Sequence, residues 1–165
     1  MRRYVLSVLV KNTSGVLNKV TGLFSKRGYN IRSLSVGETD DPESSRITIE
    51  LVGDEQILEQ IKKQLNKLID VVKVKGIRSR SSVYKELVLV KVAADASKRA
   101  GIIELCDIFR TKIVDISKKT LVVELAGTPE KNEALIALLS EYGILEMART
   151  GITALERGDS SIHDK

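Results

Sequence analysis

Tryptophan is absent from this 165-residue chain, aromatic residues make up only 4%, and there is a single cysteine and a single histidine. With so few rings, the core has to be built from Val, Ile and Leu, as in small sheets packed under helices. The lone Cys106 excludes an internal disulfide framework and a multi-cysteine metal site. The lone His163 stands near the C-terminal end, where a catalytic base would lack rigid support. No apolar run approaches the roughly 18–20 residues that span a bilayer. Met1-Arg2-Arg3 leads straight into an amphipathic strand pattern, with no apolar signal core and no small-residue cleavage site, so a cytoplasmic protein is expected. A Walker A sequence and a G-x-G-x-x-G after a strand are also missing. No His, Cys or carboxylate cluster has metal-ligand spacing.

What is present is an ordinary globular balance, 42% hydrophobic and 30% charged. The net charge of +5 is uneven: residues 1–82 hold 15 Lys/Arg against 9 Asp/Glu, and residues 83–165 hold 12 against 13. A basic half is compatible with an acidic partner or nucleic acid, and equally with a solvated surface.

Two blocks repeat the order strand–helix–strand–strand–helix–strand. In the first, Tyr4–Val10 is a largely apolar strand, and Val16, Leu17, Val20, Leu23 and Phe24 form one helix stripe that ends at Gly28. Ile31–Val36 and Arg46–Val52 are strands around the turn Asp40-Asp41-Pro42, the latter with clear period-two alternation. Asp54 caps a second helix, and Val71–Val74 closes the block. The second block has strands at Leu87–Val92, Lys112–Ile116, Leu121–Leu125 and Ile144–Ala148. Its first helix carries Ile102, Leu105, Cys106 and Phe109. Thr128-Pro129 starts its second helix, and Gly143 ends it. Right-handed crossovers then predict an α+β protein of two tandem ferredoxin-like βαββαβ domains, 1–77 and 84–158, with a polar linker at 78–83 and a frayed tail at 159–165. Apolar residues at both parities of several strands require cover on the second sheet face, from another domain or another protomer.

One turn has chemistry to offer. Asn12-Thr13-Ser14-Gly15 joins a strand to a helix, whose first N–H groups suit a carboxylate or phosphate, and Gly15 permits close backbone approach. An ordinary turn with Ser14 as N-cap fits the same residues. Cys106, on an apolar helix stripe, reads as a buried structural thiol.

The runs L-S-V-L-V-K-N-T-S-G-V-L (Leu6–Leu17) and G-L-F-S-K-R-G-Y-N-I-R-S-L (Gly22–Leu34) resemble an ACT domain. R-G-Y-N-I-x-S-L at Arg27–Leu34 and T-D-D-P-x-x-S-R-x-T-I at Thr39–Ile49 narrow the resemblance to the small, regulatory subunit of acetohydroxyacid synthase (acetolactate synthase). E-L-A-G-T at Glu124–Thr128 and A-R-T-G at Ala148–Gly151 match that family's second domain. The resemblance runs from about residue 2 to residue 158. It implies a non-catalytic subunit of branched-chain (valine and isoleucine) biosynthesis that binds and activates a catalytic subunit. It also implies feedback inhibition by valine or another branched-chain amino acid. Thiamine diphosphate, Mg²⁺ and FAD are then expected on the catalytic subunit and no cofactor on this chain. The resemblance further implies a homodimer through the ACT domains, with the effector between Asn12, Gly15, Val16 and Leu17 of one protomer and Asn30 and Ile31 of the other. Lys11 departs from the family's frequent acidic residue at that position.

An RNA-binding module of the same topology would need stacking aromatics on its first and third strands, and Arg46–Val52 has none. No helix-turn-helix is left over for DNA, and neither nucleic acid nor membrane is expected as a partner. The remaining alternative is an ACT-type regulator of a different enzyme.

Overall fold

A computed structural model describes residues 2–164. These residues form two compact units, 2–83 with 151–164, and Tyr84–Thr150. The first contains β1 (Arg2–Lys11), α1 (Val16–Lys26), β2 (Ile31–Glu38), β3 (Ser44–Gly53), α2 (Glu55–Leu65) and β4 (Val71–Ile77). Its antiparallel sheet has the order β2-β3-β1-β4. β1 is central in that order, bonded to β3 along one edge and to β4 along the other.

One face of β1, with Leu6, Val8 and Val10, joins Val16, Val20 and Phe24 of α1 and Ile61 and Leu65 of α2 in the core. The opposite face, with Val5, Ser7 and Leu9, is buried as well. At β1 the expected cover includes the chain's own C-terminal segment. After residue 150 the chain joins the first unit, and Ile152, Ala154 and Ile162 are buried there. Thr153 Oγ1 and Ser35 Oγ are hydrogen-bonded at 3.4 Å. Lys75 Nζ pairs with Glu156 and donates to the Ser161 carbonyl, and Lys73 Nζ donates to the Asp164 carbonyl.

The expected domain boundary put 151–158 with the second block and left 159–165 frayed. Instead, Ile162 is 5% exposed, and the Asp164 carboxylate accepts from both N–H and hydroxyl of Ser161. The holding partners, on β2 and β4, are more than 80 residues away in sequence.

The expected linker is also more regular than its composition implies. Ser79–Ser81 is a 3-10 turn, and β5 (Ser82–Ala93) begins earlier than the alternation at Leu87 indicated. Arg157 supplies the order, donating from N–H to the Ser81 carbonyl and from Nε to the Ser82 carbonyl. β9 (Thr153–Glu156) pairs with β5, whose first two residues belong to the first unit.

The second unit places α3 (Arg99–Phe109), β6 (Lys112–Ile116), β7 (Thr120–Gly127), α4 (Pro129–Ser140) and β8 (Ile144–Arg149) after β5, with strand order β6-β7-β5-β8. Val88, Val90 and Val92 of β5 pack with Ile102 and Cys106 of α3 and Leu135 and Leu139 of α4. Both units thus have the expected ferredoxin-like order.

Gly151 carries the return of the chain. Its φ is +112°, and a Cβ there would lie 2.9 Å from the Leu34 carbonyl oxygen, with the Leu34 C and N close behind. Backbone offers no rotamer to relieve such a clash. Gly151→Ala is expected to cost at least about 2 kcal/mol in urea unfolding. It should also speed amide exchange across residues 152–163 while leaving the α3 and α4 amides unchanged.

Candidate functional site

The turn between β1 and α1 is built by backbone bonds to two neighbouring loops. Lys11 N–H donates to the Asp70 carbonyl at 2.9 Å and Asn12 N–H to the Glu43 carbonyl at 2.7 Å. Gly15, at φ +85°, is the N-cap of α1, and no side chain caps that helix. Ser14, expected at this position, therefore stands one residue too early. The left-handed turn needed to enter the helix falls on the residue that adopts it without Cβ strain.

The consequence is a helix start with unused donors. The N–H groups of Leu17 and Asn18 find no acceptor among the described residues, and the first turn of α1 has no acidic residue. Two other helices are capped by side chains. Asp54 Oδ1 accepts from Ile57 N–H at 2.8 Å at the start of α2, and Thr128 Oγ1 accepts from Lys131 N–H at α4. Just before α3, Asp95 Oδ1 accepts from the N–H groups of Ser97 and Lys98. Those bonds hold the Asp95 carboxyl below its ordinary value, the Ser97 hydroxyl contributing most. At α1 neither a side-chain cap nor a preceding carboxylate meets the helix start, an arrangement that can receive an external carboxylate.

The expected site residues separate into two groups. Asn12, Gly15, Val16 and Leu17 sit together on the turn. The Val16 side chain, at 3% exposure, belongs to the core, so only its backbone faces the turn, whereas Leu17 is exposed. Asn30 and Ile31 lie at the other end of the sheet. Ile31 is in register with Leu51 and through it with Tyr4, while Lys11 pairs with Ser44 and Glu38 with Ser45. Seven strand residues, about 23 Å, separate the two ends. One protomer does not bring Asn12 and Asn30 together.

Residues of the Glu38–Ser44 segment, which contains the expected turn Asp40-Asp41-Pro42, contact Asn12 directly. Asn12 Nδ2 donates to Glu38 Oε1 at 3.0 Å and to the Pro42 carbonyl at 2.9 Å. The segment is closed on itself. Thr39 Oγ1 donates to the Asp41 and Ser44 carbonyls. Asp41 accepts from Ser44 Oγ at 2.8 Å and from Glu43 N–H at 3.0 Å. The Ser44 hydroxyl first, then the Glu43 N–H, hold the Asp41 carboxyl below the usual carboxylate range. The loop is accordingly kept from neutral pH downward until that depressed pKa is crossed.

A cleft of about 620 Å³ lies beside the same loop, lined by Glu38, Asp41, Arg46, Leu155 and His163 among others. It combines one guanidinium with several carboxylates. Among the described residues, no three His, Cys, Asp or Glu side chains are placed to hold a metal.

The chain was compared with known proteins. A family described as an AHAS small subunit-like ACT domain matches residues 6–73, and one described as the small subunit of acetolactate synthase matches residues 85–158. The acetolactate synthase small subunit of Haemophilus influenzae is 50% identical over 163 residues, 98% of this chain and 99% of that one. The isozyme 3 small subunit of Escherichia coli is 48% identical, covering 96% of this chain and 98% of its own length. The crystal structure of the acetolactate synthase small subunit from Thermotoga maritima superposes with a TM-score of 0.89 at 42% identity, covering 97% of this chain and all of that one.

Cys106 lies in the core of the second unit, and burial pushes its thiol above the ordinary value. The thiolate is therefore disfavoured in the folded chain. A thiol-disulfide reagent at pH 8 is expected to leave native protein unmodified over hours and to titrate one thiol at once in denaturant.

Proposed function

The chain belongs to the family of acetolactate synthase small subunits, and from that membership we propose that it is the regulatory subunit of an acetohydroxyacid synthase. It has no reaction of its own, binds the catalytic subunit, raises its activity and confers feedback inhibition by valine or a related branched-chain amino acid. Thiamine diphosphate, Mg²⁺ and FAD belong to the catalytic partner.

The observation that carries the effector reading is the open start of α1, where free N–H groups and an uncapped Gly15 meet no internal carboxylate. A zwitterionic amino acid supplies that carboxylate. Its ammonium requires oxygen acceptors, which Asn side chains offer, and its branched side chain requires an apolar neighbour such as Leu17.

The separation of Asn12 from Asn30 supports a homodimer. β2 is the edge of its sheet, and sheet edges are ordinarily covered. Antiparallel pairing of two β2 strands about their midpoint sets Ile31 of the partner subunit opposite Glu38. That pairing brings Asn30 of the partner subunit to the Asn12 turn. Each two-fold pair then contains two equivalent sites, each shared between protomers.

The test is calorimetry of valine with the full chain, run beside an acetolactate assay with its catalytic subunit. The chain alone should form no acetolactate, should stimulate the catalytic subunit and should scatter light as a dimer or larger at micromolar concentration. In Gly15→Asp the introduced carboxylate occupies the effector's position and repels it. A Cβ at Gly15 meets nothing within 4 Å, and Asp tolerates the left-handed conformation better than most residues. Fold and stimulation should therefore survive, while valine affinity falls at least about tenfold, equivalent to about 1.4 kcal/mol, and feedback is lost. Asn30→Ala should weaken valine by about 1–3 kcal/mol. A Gly15→Asp chain that binds valine and transmits inhibition like the parent would place the site elsewhere.

A further inference from the structure

Asn12 is oriented by its neighbours. Its Nδ2 donates to two oxygens, Glu38 Oε1 and the Pro42 carbonyl, at 3.0 and 2.9 Å. An ionised carboxylate and a carbonyl oxygen can only accept. These partners therefore decide which end of the amide is nitrogen, because the flipped amide would set Oδ1 against two acceptors. Both amide hydrogens are then occupied. Asn12 has only Oδ1 left to offer a ligand, and Oδ1 has no donor among the described residues.

We infer that Glu38 is a positioning residue for the effector site: it locks the Asn12 amide with its acceptor outward, and so makes the site select a ligand that donates at its α-carbon, an ammonium, over one with a carbonyl there. The inference rests on the proposed reading of Asn12 as an effector residue. Glu38 need not touch the ligand, since it acts through the Asn12 side chain. The self-bonded loop from Thr39 to Ser44 fixes the two ends of the clamp, presenting the Pro42 carbonyl to the Asn12 side chain and the Glu43 carbonyl to its backbone. This gives the T-D-D-P-x-x-S run a structural purpose that its composition does not reveal.

The experiment titrates the full-length parent, Glu38→Gln and Glu38→Ala with L-valine and, separately, with the 2-oxo acid of the same carbon skeleton. Glu38 is exposed, so the three melting curves should coincide. In Glu38→Ala only the Pro42 carbonyl still holds the amide, so the flipped form loses one of its two opposing acceptors. Valine should bind about tenfold more weakly, the 2-oxo acid should bind no worse, and the ratio of the two affinities should fall at least about tenfold. Glu38→Gln keeps a side-chain oxygen acceptor and should hold the ratio within about threefold of the parent, a rescue that separates orientation from simple charge. An unchanged ratio in Glu38→Ala overturns the positioning role while leaving the effector reading in place. A Glu38→Gln chain as indiscriminate as Glu38→Ala also overturns it, since charge alone would then be responsible. A parent chain that binds neither compound overturns the effector reading, and the positioning role with it.

Discussion

The first unit is organised around a strand with no face left for water. β1 is hydrogen-bonded along both edges, and its side chains are buried on both sides. An amphipathic strand needs one layer of cover, whereas a doubly apolar strand needs two. α1 and α2 provide the first layer. The second comes from chain that returns after the whole second unit has been made, and Gly151, Ile152, Ala154 and Ile162 are spent on it. The covered face also contains a carboxylate, Glu50, which is buried on β3. It is satisfied by the Ser33 hydroxyl at 3.2 Å, with Arg3 and Arg32 at 3.8 and 3.7 Å. A buried acid is tolerable only with such partners, so that face is sealed by polar pairing as well as by apolar contact.

The rigidity of β1 decides what its C-terminal end can do. The turn that follows is held by Asp70 from one side and Glu43 from the other. A binding constellation is more exact on the end of a fixed strand than on a free loop. Helix capping then makes the position distinctive. Leaving helix-start donors without an internal partner forgoes roughly 0.5–2 kcal/mol that a Ser, Thr, Asp or Asn cap would supply. The chain accepts that loss at α1, while side-chain oxygens cap the starts of α2 and α4. Asp95 is instructive, because in the second unit it puts the protein's own carboxylate in the loop just before α3, where it accepts from the N–H groups of Ser97 and Lys98.

Legibility in the sequence tracks the distance of the deciding interaction. Asp54 and Thr128-Pro129 were readable as helix starts because a cap acts within three residues. The alternation of Arg46–Val52 was readable because β3 has one dominant apolar stripe. Ser14 was misassigned as the cap because both Ser and Gly are good N-caps, and only the backbone conformation separates them. Val16 was placed at the site by the family resemblance, and helical phase turns its side chain inward, as the apolar stripe of α1 indicated. The C-terminal segment was illegible for a different reason. Its anchors, Ser35, Lys73 and Lys75, are remote in sequence, and its own composition resembles a solvated tail. The Glu38–Ser44 loop fell between these cases. Its turn chemistry was visible, but the hydrogen bonds that give it a purpose reach back to Asn12, across about 30 residues.

The same register that separates Asn12 from Asn30 sets the thermodynamics of the proposed site. If each site is completed by two protomers, the effector binds only the pair, and ligand affinity and dimer affinity are linked through one free energy. Valine would then tighten the dimer by as much as dimerisation improves the valine site, and apparent affinity would depend on protomer concentration. Within such a pair each protomer contributes an Asn12 turn to one site and an Asn30 to the other. A defect at Asn12 or Asn30 in one protomer would damage one site through the turn or the other through the strand, and a mixed dimer would retain one intact site. In the proposed site the open donors of α1 would meet the effector's carboxylate, the clamp on Asn12 would set which chemical partner is accepted, and the length of β2 would call for a second protomer to complete the set.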